Sequence, residues 1–209
     1  DSLVLALKAP DRDGTRYPAG LALSPDGAAL YVAENLADSL AVVDVAGGRV
    51  LQRLATGSYP YGVAVTPEGT VFVSNWGAGN LSVFTPGPGG RLVPASGIAA
   101  GRHPSALLLN ASATRLFVAS GSTDRVNVVD TRAMRVVAEL RDPPPGDPGE
   151  GATPNALALS GDGTRLFAAE ADANAVAVFD LSALAAGLPA ARGDDGLAGR
   201  IPVGWYPTA

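Results

Sequence analysis

Tyr59-Pro-Tyr-Gly-Val-Ala-Val-Thr-Pro-Glu-Gly-Thr-Val-Phe-Val-Ser-Asn75, continued by Trp76-Gly-Ala-Gly-Asn80 and Leu81-Ser-Val-Phe84, reads as three short strands joined by two tight turns. Gly62 to Thr66 is a compact apolar run, and Pro67-Glu-Gly-Thr70 is a turn in which Gly69 is free to take a positive φ. Val71 to Asn75 alternates, with Phe72 and Ser74 on one face and Val71 and Val73 on the other. The opening phrase returns as Tyr17-Pro-Ala-Gly20, His103-Pro-Ser-Ala106 and Thr153-Pro-Asn-Ala156, and Tyr206-Pro-Thr-Ala209 begins it once more. Pro18, Pro60, Pro104, Pro154 and Pro207 are therefore spaced by 42, 44, 50 and 53 residues.

A period of that size carried by strands predicts an all-β fold, a β-propeller with one repeat per blade. Second strands recur as Leu30-Tyr-Val-Ala-Glu34, Leu116-Phe-Val-Ala-Ser120 and Leu166-Phe-Ala-Ala-Glu170. Third strands recur as Leu40-Ala-Val-Val-Asp44, Val126-Asn-Val-Val-Asp130 and Val176-Ala-Val-Phe-Asp180. First strands such as Leu21-Ala-Leu-Ser24 are rich in small residues, as expected where strands crowd around an axis. The repeats fall at about 17–58, 59–102, 103–152 and 153–205 within a single propeller segment, 1–209. Leu3 to Leu7 reads as the outer strand of a preceding blade, and 206–209 as the start of a further one. One blade cannot bury both of its apolar faces alone and must stack on neighbours. The expectation is four four-stranded blades of a larger ring, whose open faces would favour self-association.

Composition narrows the functional classes. A net charge of −5, with Lys8 the only lysine, gives no basic footprint for nucleic acid or an anionic membrane. No apolar run is long enough to span a bilayer as a helix. The absence of cysteine excludes disulfides, thiolate metal sites, a cysteine nucleophile and covalent haem attachment.

Tyr59-Pro-Tyr-Gly-Val-Ala-Val65, Ser24-Pro-Asp-Gly27, Leu30-Tyr-Val-Ala-Glu-Asn35 and Leu40-Ala-Val-Val-Asp44 resemble the YVTN, or YncE-like, β-propeller repeat, and the resemblance covers residues 17–209. It implies a bacterial or archaeal protein, typically seven-bladed, exported to the periplasm or cell surface. Arg102 to Asn110, Thr153 to Ser160 and Ile201 to Thr208 look like propellers that precede a phosphoesterase domain, which implies an adjoining domain as partner. The third repeat departs from the pattern: Asn110-Ala-Ser-Ala-Thr114 stands where the others carry a glycine turn.

In a propeller, the turn before the first strand and the turn after the second open on one face, near the central channel. The first set of turns delivers Tyr17, Tyr59, Tyr61, His103, Asn155 and Tyr206; the second delivers Glu34, Asn35, Asn75, Trp76, Glu170 and Asp172. Tyr17, Tyr59, Tyr61, Asn75, Trp76, His103, Asn155 and Tyr206 form the candidate ligand-binding rim, suited to a sugar, a peptide or another ring. Glu34, Asn75 and Glu170 are candidate oxygen ligands for Ca²⁺, as in some propeller lactonases. His103, the only histidine, is the sole candidate for histidine acid–base chemistry, and its place in a variable turn argues against that role. Asp44, Asp130 and Asp180 recur too regularly to form one active site and are expected to accept turn N–H bonds. Arg141 to Gly151 and Ala183 to Gly199 read as solvated surface connections.

Two functional readings follow. The first is a non-catalytic binding or scaffold propeller of the cell envelope, engaging a small ligand, a protein partner or an adjoining domain. The alternative is a metal-dependent propeller lactonase or hydrolase with a cation at the channel mouth.

Overall fold

Each repeat folds into the antiparallel meander its alternation predicts. The computed structural model describes residues 16–143, 151–185 and 196–208. The strand expected at Leu3 to Leu7, the middles of the two long connections and Ala209 lie outside them. The chain divides into two compact units, Asp1–Gly97 and Ile98–Ala209, each holding two blades of a β-propeller.

In the first unit, β1 (Pro18–Leu23), β2 (Ala29–Glu34), β3 (Ser39–Asp44) and β4 (Arg49–Ala55) form one sheet in sequential order. The next sheet runs β5 (Pro60–Val65), β6 (Val71–Asn75), β7 (Asn80–Pro86) and β8 (Leu92–Pro94). Alternation places Tyr31, Ala33, Leu40 and Val42 on the face that packs against Val71, Val73, Phe84 and Leu92. The two first strands approach so closely that a Cβ on Gly20 would lie 2.2 Å from the Tyr61 carbonyl oxygen. No other residue fits there.

The second unit opens with a two-residue strand, β9 (Ile98–Ala99). It continues as β10 (Pro104–Leu109), β11 (Arg115–Ser120), β12 (Arg125–Asp130) and β13 (Arg135–Arg141). The last sheet comprises β14 (Pro154–Leu159), β15 (Arg165–Glu170), β16 (Ala175–Asp180) and β17 (Leu197–Pro202), with a one-turn helix α1 (Ser182–Ala185) after β16. Its core joins Phe117, Val126, Val128 and Leu140 to Leu166, Ala168, Ala177 and Phe179.

Three sequence expectations are adjusted. The fourth outer strand begins at Leu197, inside the stretch read as a surface connection, because Leu197 pairs with Phe179 and Ile201 with Val176. Asp142, read as part of a solvated loop, is fully buried. In the irregular third repeat the turn keeps the shape of the others, with Ala113 at φ 51° where Gly27, Gly69 and Gly163 take 71°, 85° and 70°. Thus Ala113 adopts a conformation that normally selects glycine. The recurring aspartates behave as expected at two positions: Asp130 accepts the Arg132 and Ala133 N–H groups, and Asp180 that of Ser182. Asp44 instead pairs with Arg49 through its side chain.

Candidate functional site

The residue before each repeat proline lies in left-handed backbone: Tyr17, Tyr59, His103, Thr153 and Tyr206 have φ between 47° and 55°. Histidine is enriched there, but tyrosine does not favour that region, and a β-branched threonine does so least of all. Other groups hold the conformation. Asp38, itself left-handed in the β2–β3 turn, accepts the Tyr59 N–H at 2.9 Å. Asp124 takes the Thr153 N–H at 2.9 Å, and also those of Ala152 and Gly151. Asn174 takes that of Tyr206 at 2.8 Å. Asp38, Asp124 and Asn174 occupy one position in the repeat, so an Asx residue there clamps the entry to the next repeat.

Each entry proline pairs with the last residue of its neighbouring strand: Pro18 with Glu34, Pro60 with Asn75, Pro104 with Ser120 and Pro154 with Glu170. The two sets of candidate residues therefore share one end of every blade. In the first unit, Tyr59, Tyr61 and Trp76 come together with Asn35 around a cleft of about 240 Å³. Tyr59 meets Trp76 edge to face, with ring centroids 6.5 Å apart and planes at 75°. A Cβ on Gly77 would sit 2.4 Å from Tyr59 Cδ2, so the ring occupies the space a side chain would take. Tyr59, Tyr61 and Trp76 stay about half exposed, and Asn35 Nδ2 donates to the Pro60 carbonyl at 3.0 Å. The result is an aromatic shelf beside a polar edge. Tyr17 is also on the surface of this unit, outside the cleft lining.

The other rim candidates lie in the second unit. His103 Nδ1 hydrogen-bonds to Ser122 Oγ, and Arg102 Nη2 donates to the Ser122 carbonyl at 3.0 Å. Tyr206 is half exposed, whereas Asn155 keeps its Oδ1 buried with no hydrogen-bond partner among the described residues. A wider cleft of about 690 Å³ opens elsewhere in this unit, between the Asn110–Thr114 and Ser160–Gly163 turns. Its polar groups are engaged locally. Arg115 binds Asp130 at 2.8 Å, and Asp162 takes the Ser160 hydroxyl and the Thr164 N–H, bonds that hold its carboxyl down at about 2.

The three candidate metal ligands are all buried, and the two carboxylates already have cationic partners. Arg53 Nε lies 3.1 Å from both Glu34 oxygens, Arg16 Nη1 lies 3.2 Å from Oε2, and the Ser39 hydroxyl donates to Oε2 at 2.7 Å. Glu170 receives Arg200 Nε at 2.7 and 2.9 Å. Asn75 donates through Nδ2 to Asn80 at 2.6 Å and Ser82 at 2.9 Å; its buried Oδ1 has no partner among the described residues. A divalent cation on either carboxylate would have to displace a guanidinium, so the residues do not fit one as they stand. Among the described residues, no three His, Cys, Asp or Glu side chains are grouped as metal ligands.

A profile of the SMP-30/gluconolactonase/LRE-like region matches residues 8–122, more than half of the chain. No curated protein sequence matches. A protein from Bacteroides uniformis, provisionally assigned as a 6-phosphogluconolactonase, superimposes with a TM-score of 0.69 at 18% identity, over 96% of this chain and 60% of its own. A catalytically inactive virginiamycin B lyase from Staphylococcus aureus, solved with quinupristin, gives 0.69 at 17% identity, over 96% of this chain and 59% of its own. Hydrazine synthase of Kuenenia stuttgartiensis gives 0.55 at 18% identity, over 91% of this chain and 76% of its own. The chain thus spans about three fifths of the first two. At these identities the likeness is one of fold.

Proposed function

The chain belongs to the SMP-30/gluconolactonase/LRE-like family, and from that premise we propose that it is a ligand-binding propeller segment whose own residues carry no catalysis. The ligand is a neutral ring, a sugar or a lactone, and it sits on the shelf of Tyr59, Tyr61 and Trp76. The observation that carries this reading is the shelf itself: three half-exposed aromatic side chains around one cleft, with Asn35 at its edge. Aromatic faces stack on the apolar faces of a ring, and the tyrosine hydroxyls are available to its polar rim. A monosaccharide-sized ring of about twelve heavy atoms at ~0.3 kcal/mol per atom would bind with a Kd near the millimolar range. In keeping with the repeat type, the proposal places the protein in the cell envelope, exported, with an adjoining domain or protein partner acting on what the propeller holds.

Tryptophan fluorescence tests it. Trp205 is 91% exposed and would dominate the background, so the titration is made in Trp205→Phe, which leaves Trp76 as reporter. Saturable quenching by a simple sugar or glucono-lactone supports the shelf; undiminished calorimetric affinity in a Tyr59→Ala/Trp76→Leu variant removes it.

A second reading, a lactonase with Ca²⁺, draws on the family description and on the assignment of the Bacteroides protein. The guanidinium partners of Glu34 and Glu170 weigh against those carboxylates as its ligands. Calorimetry with Ca²⁺ separates the two: one bound ion, lost in Glu34→Gln and Glu170→Gln, together with lactone turnover, would favour the enzyme.

A further inference from the structure

The cleft of about 690 Å³ in the second unit shares no residue with the aromatic shelf of the first, and its size suits a small molecule. Its floor is the seam between two repeats: Leu108, Phe117 and Val128 come from one, and Leu159, Leu181 and Leu184 from the other. Phe117, Val128 and Leu181 belong to the buried core, and Leu108, Leu159 and Leu184 pack against it, so a guest would rest on apolar side chains. Small residues open the mouth. The turns after β1, β5, β10 and β14 close with the same backbone bond, from Gly27, Gly69, Ala113 and Gly163 to the carbonyls of Ser24, Thr66, Asn110 and Ser160. The first two place Pro25 and Pro67 next, whereas the two that border the cleft place Ala111 and Gly161 there. A Cβ on Gly161 would meet nothing within 4 Å.

The charges at the rim do not balance. Arg115 is neutralised by Asp130 at 2.8 Å, and Asn110 is engaged with Ser112, Thr114 and the Arg115 N–H. Asp162, which also lines the cleft, differs. The Ser160 hydroxyl and the N–H and hydroxyl of Thr164 all donate to its Oδ1, at 2.6, 3.0 and 2.9 Å, and no cation pairs with it among the described residues. Arg165 acts instead on Asp180, whose carboxyl Ser182 and then Arg165 hold down. The cleft therefore joins an apolar floor to one carboxylate whose charge has no counter-ion. We propose that it binds a small apolar amine, with a hydrocarbon or aromatic body on the leucine floor and the ammonium group on Asp162. The bonds on Oδ1 keep that carboxylate ionised at neutral pH and leave Oδ2 for the ligand. An anion would meet the carboxylate, and a strongly polar neutral molecule would find the Asn110, Ser112 and Thr114 side chains already bonded to one another.

The test is a methyl-resolved NMR titration of the full chain, labelled at leucine and valine, with naphthylmethylammonium and with its neutral twin naphthylmethanol. The expected result is saturable shifts at Leu108, Val128, Leu159 and Leu184, with affinity near the millimolar range usual for a ligand of that size. At low salt the ammonium should bind about threefold to fivefold tighter than the alcohol, the range of a solvent-exposed ion pair. That preference should vanish in Asp162→Asn, whose amide oxygen can still accept the turn bonds. Ala111→Trp/Gly161→Pro fills the mouth and should weaken both ligands at least about tenfold. The Trp76 indole signal reports separately on the shelf. No saturable shift at the four methyl-bearing residues, shifts confined to the Trp76 indole, or the same preference for the ammonium in wild type and Asp162→Asn would overturn the proposal; the wild-type titration decides even if a variant does not fold.

Discussion

Arg53→Met should cost far more than its surface position suggests. Arg53 is 28% exposed along its side chain, but its Nε meets both oxygens of Glu34, a carboxylate with 4% exposure. Removing one partner of a buried pair typically costs 3–5 kcal/mol, because a charge is left in low dielectric. Two features lower that figure here. Arg16 and Ser39 still reach Glu34, and part of the Arg53 guanidinium is solvated, so the expectation is about 2 kcal/mol. Arg125–Glu139 provides the comparison: its side chains are 40% and 37% exposed, and such a pair contributes at most about 1 kcal/mol. Urea unfolding of Arg53→Met, Arg125→Met and Arg53→Met/Glu34→Met compares the three at constant slope. The double variant should recover part of the loss, since an apolar pair of similar volume removes the stranded carboxylate, although Arg16 also gives up its contact with Glu34. A loss in Arg53→Met no greater than in Arg125→Met, or no recovery in the double variant, would refute this account of the Glu34 site.

Gly77→Ala puts a methyl group where the Tyr59 ring lies, so the ring must leave its edge contact with Trp76. Near-ultraviolet circular dichroism should lose aromatic signal and ligand affinity should fall at least several-fold, with little change in melting temperature because the shelf faces solvent. Asp38→Gly keeps the left-handed backbone but deletes the acceptor of the Tyr59 N–H, for an expected loss of about 1 kcal/mol in urea unfolding. Ala113→Gly relieves a left-handed alanine worth about 1–2 kcal/mol while giving up a buried methyl worth about 0.8 kcal/mol. Stability should hold or rise slightly, and a loss above about 1 kcal/mol would show that the turn is unstrained.

The proline period and the apolar alternation made the blades readable, because strand periodicity and turn chemistry are local. The shelf was partly legible for the same reason: Tyr59, Tyr61 and Trp76 sit at repeat positions whose cross-strand pairing, Pro60 with Asn75, follows from the meander. Their left-handed backbone was not legible, since tyrosine and threonine do not prefer it and Asx side chains in another turn enforce it. Asp38, Asp124 and Asn174 did leave a signal, an Asx residue at one fixed place in three repeats. The fates of Glu34 and Glu170 depended on arginines two strands away. A trace exists there as well: Ala41 and Ala177 stand opposite Arg53 and Arg200, where the other two repeats place Ser82 and Asn127. Those small side chains leave room for a guanidinium to reach across. Asp142 gave no such hint, lying in a proline-rich run that otherwise reads as solvated.

The most direct measurement is a calorimetric titration of the wild-type protein with a neutral cyclic sugar and with glucono-lactone, beside Trp76→Leu, without and with Ca²⁺. The account predicts one site near millimolar affinity, lost in Trp76→Leu, indifferent to Ca²⁺, with the lactone recovered intact. Binding that survives Trp76→Leu, or that requires Ca²⁺ and consumes the lactone, would contradict it.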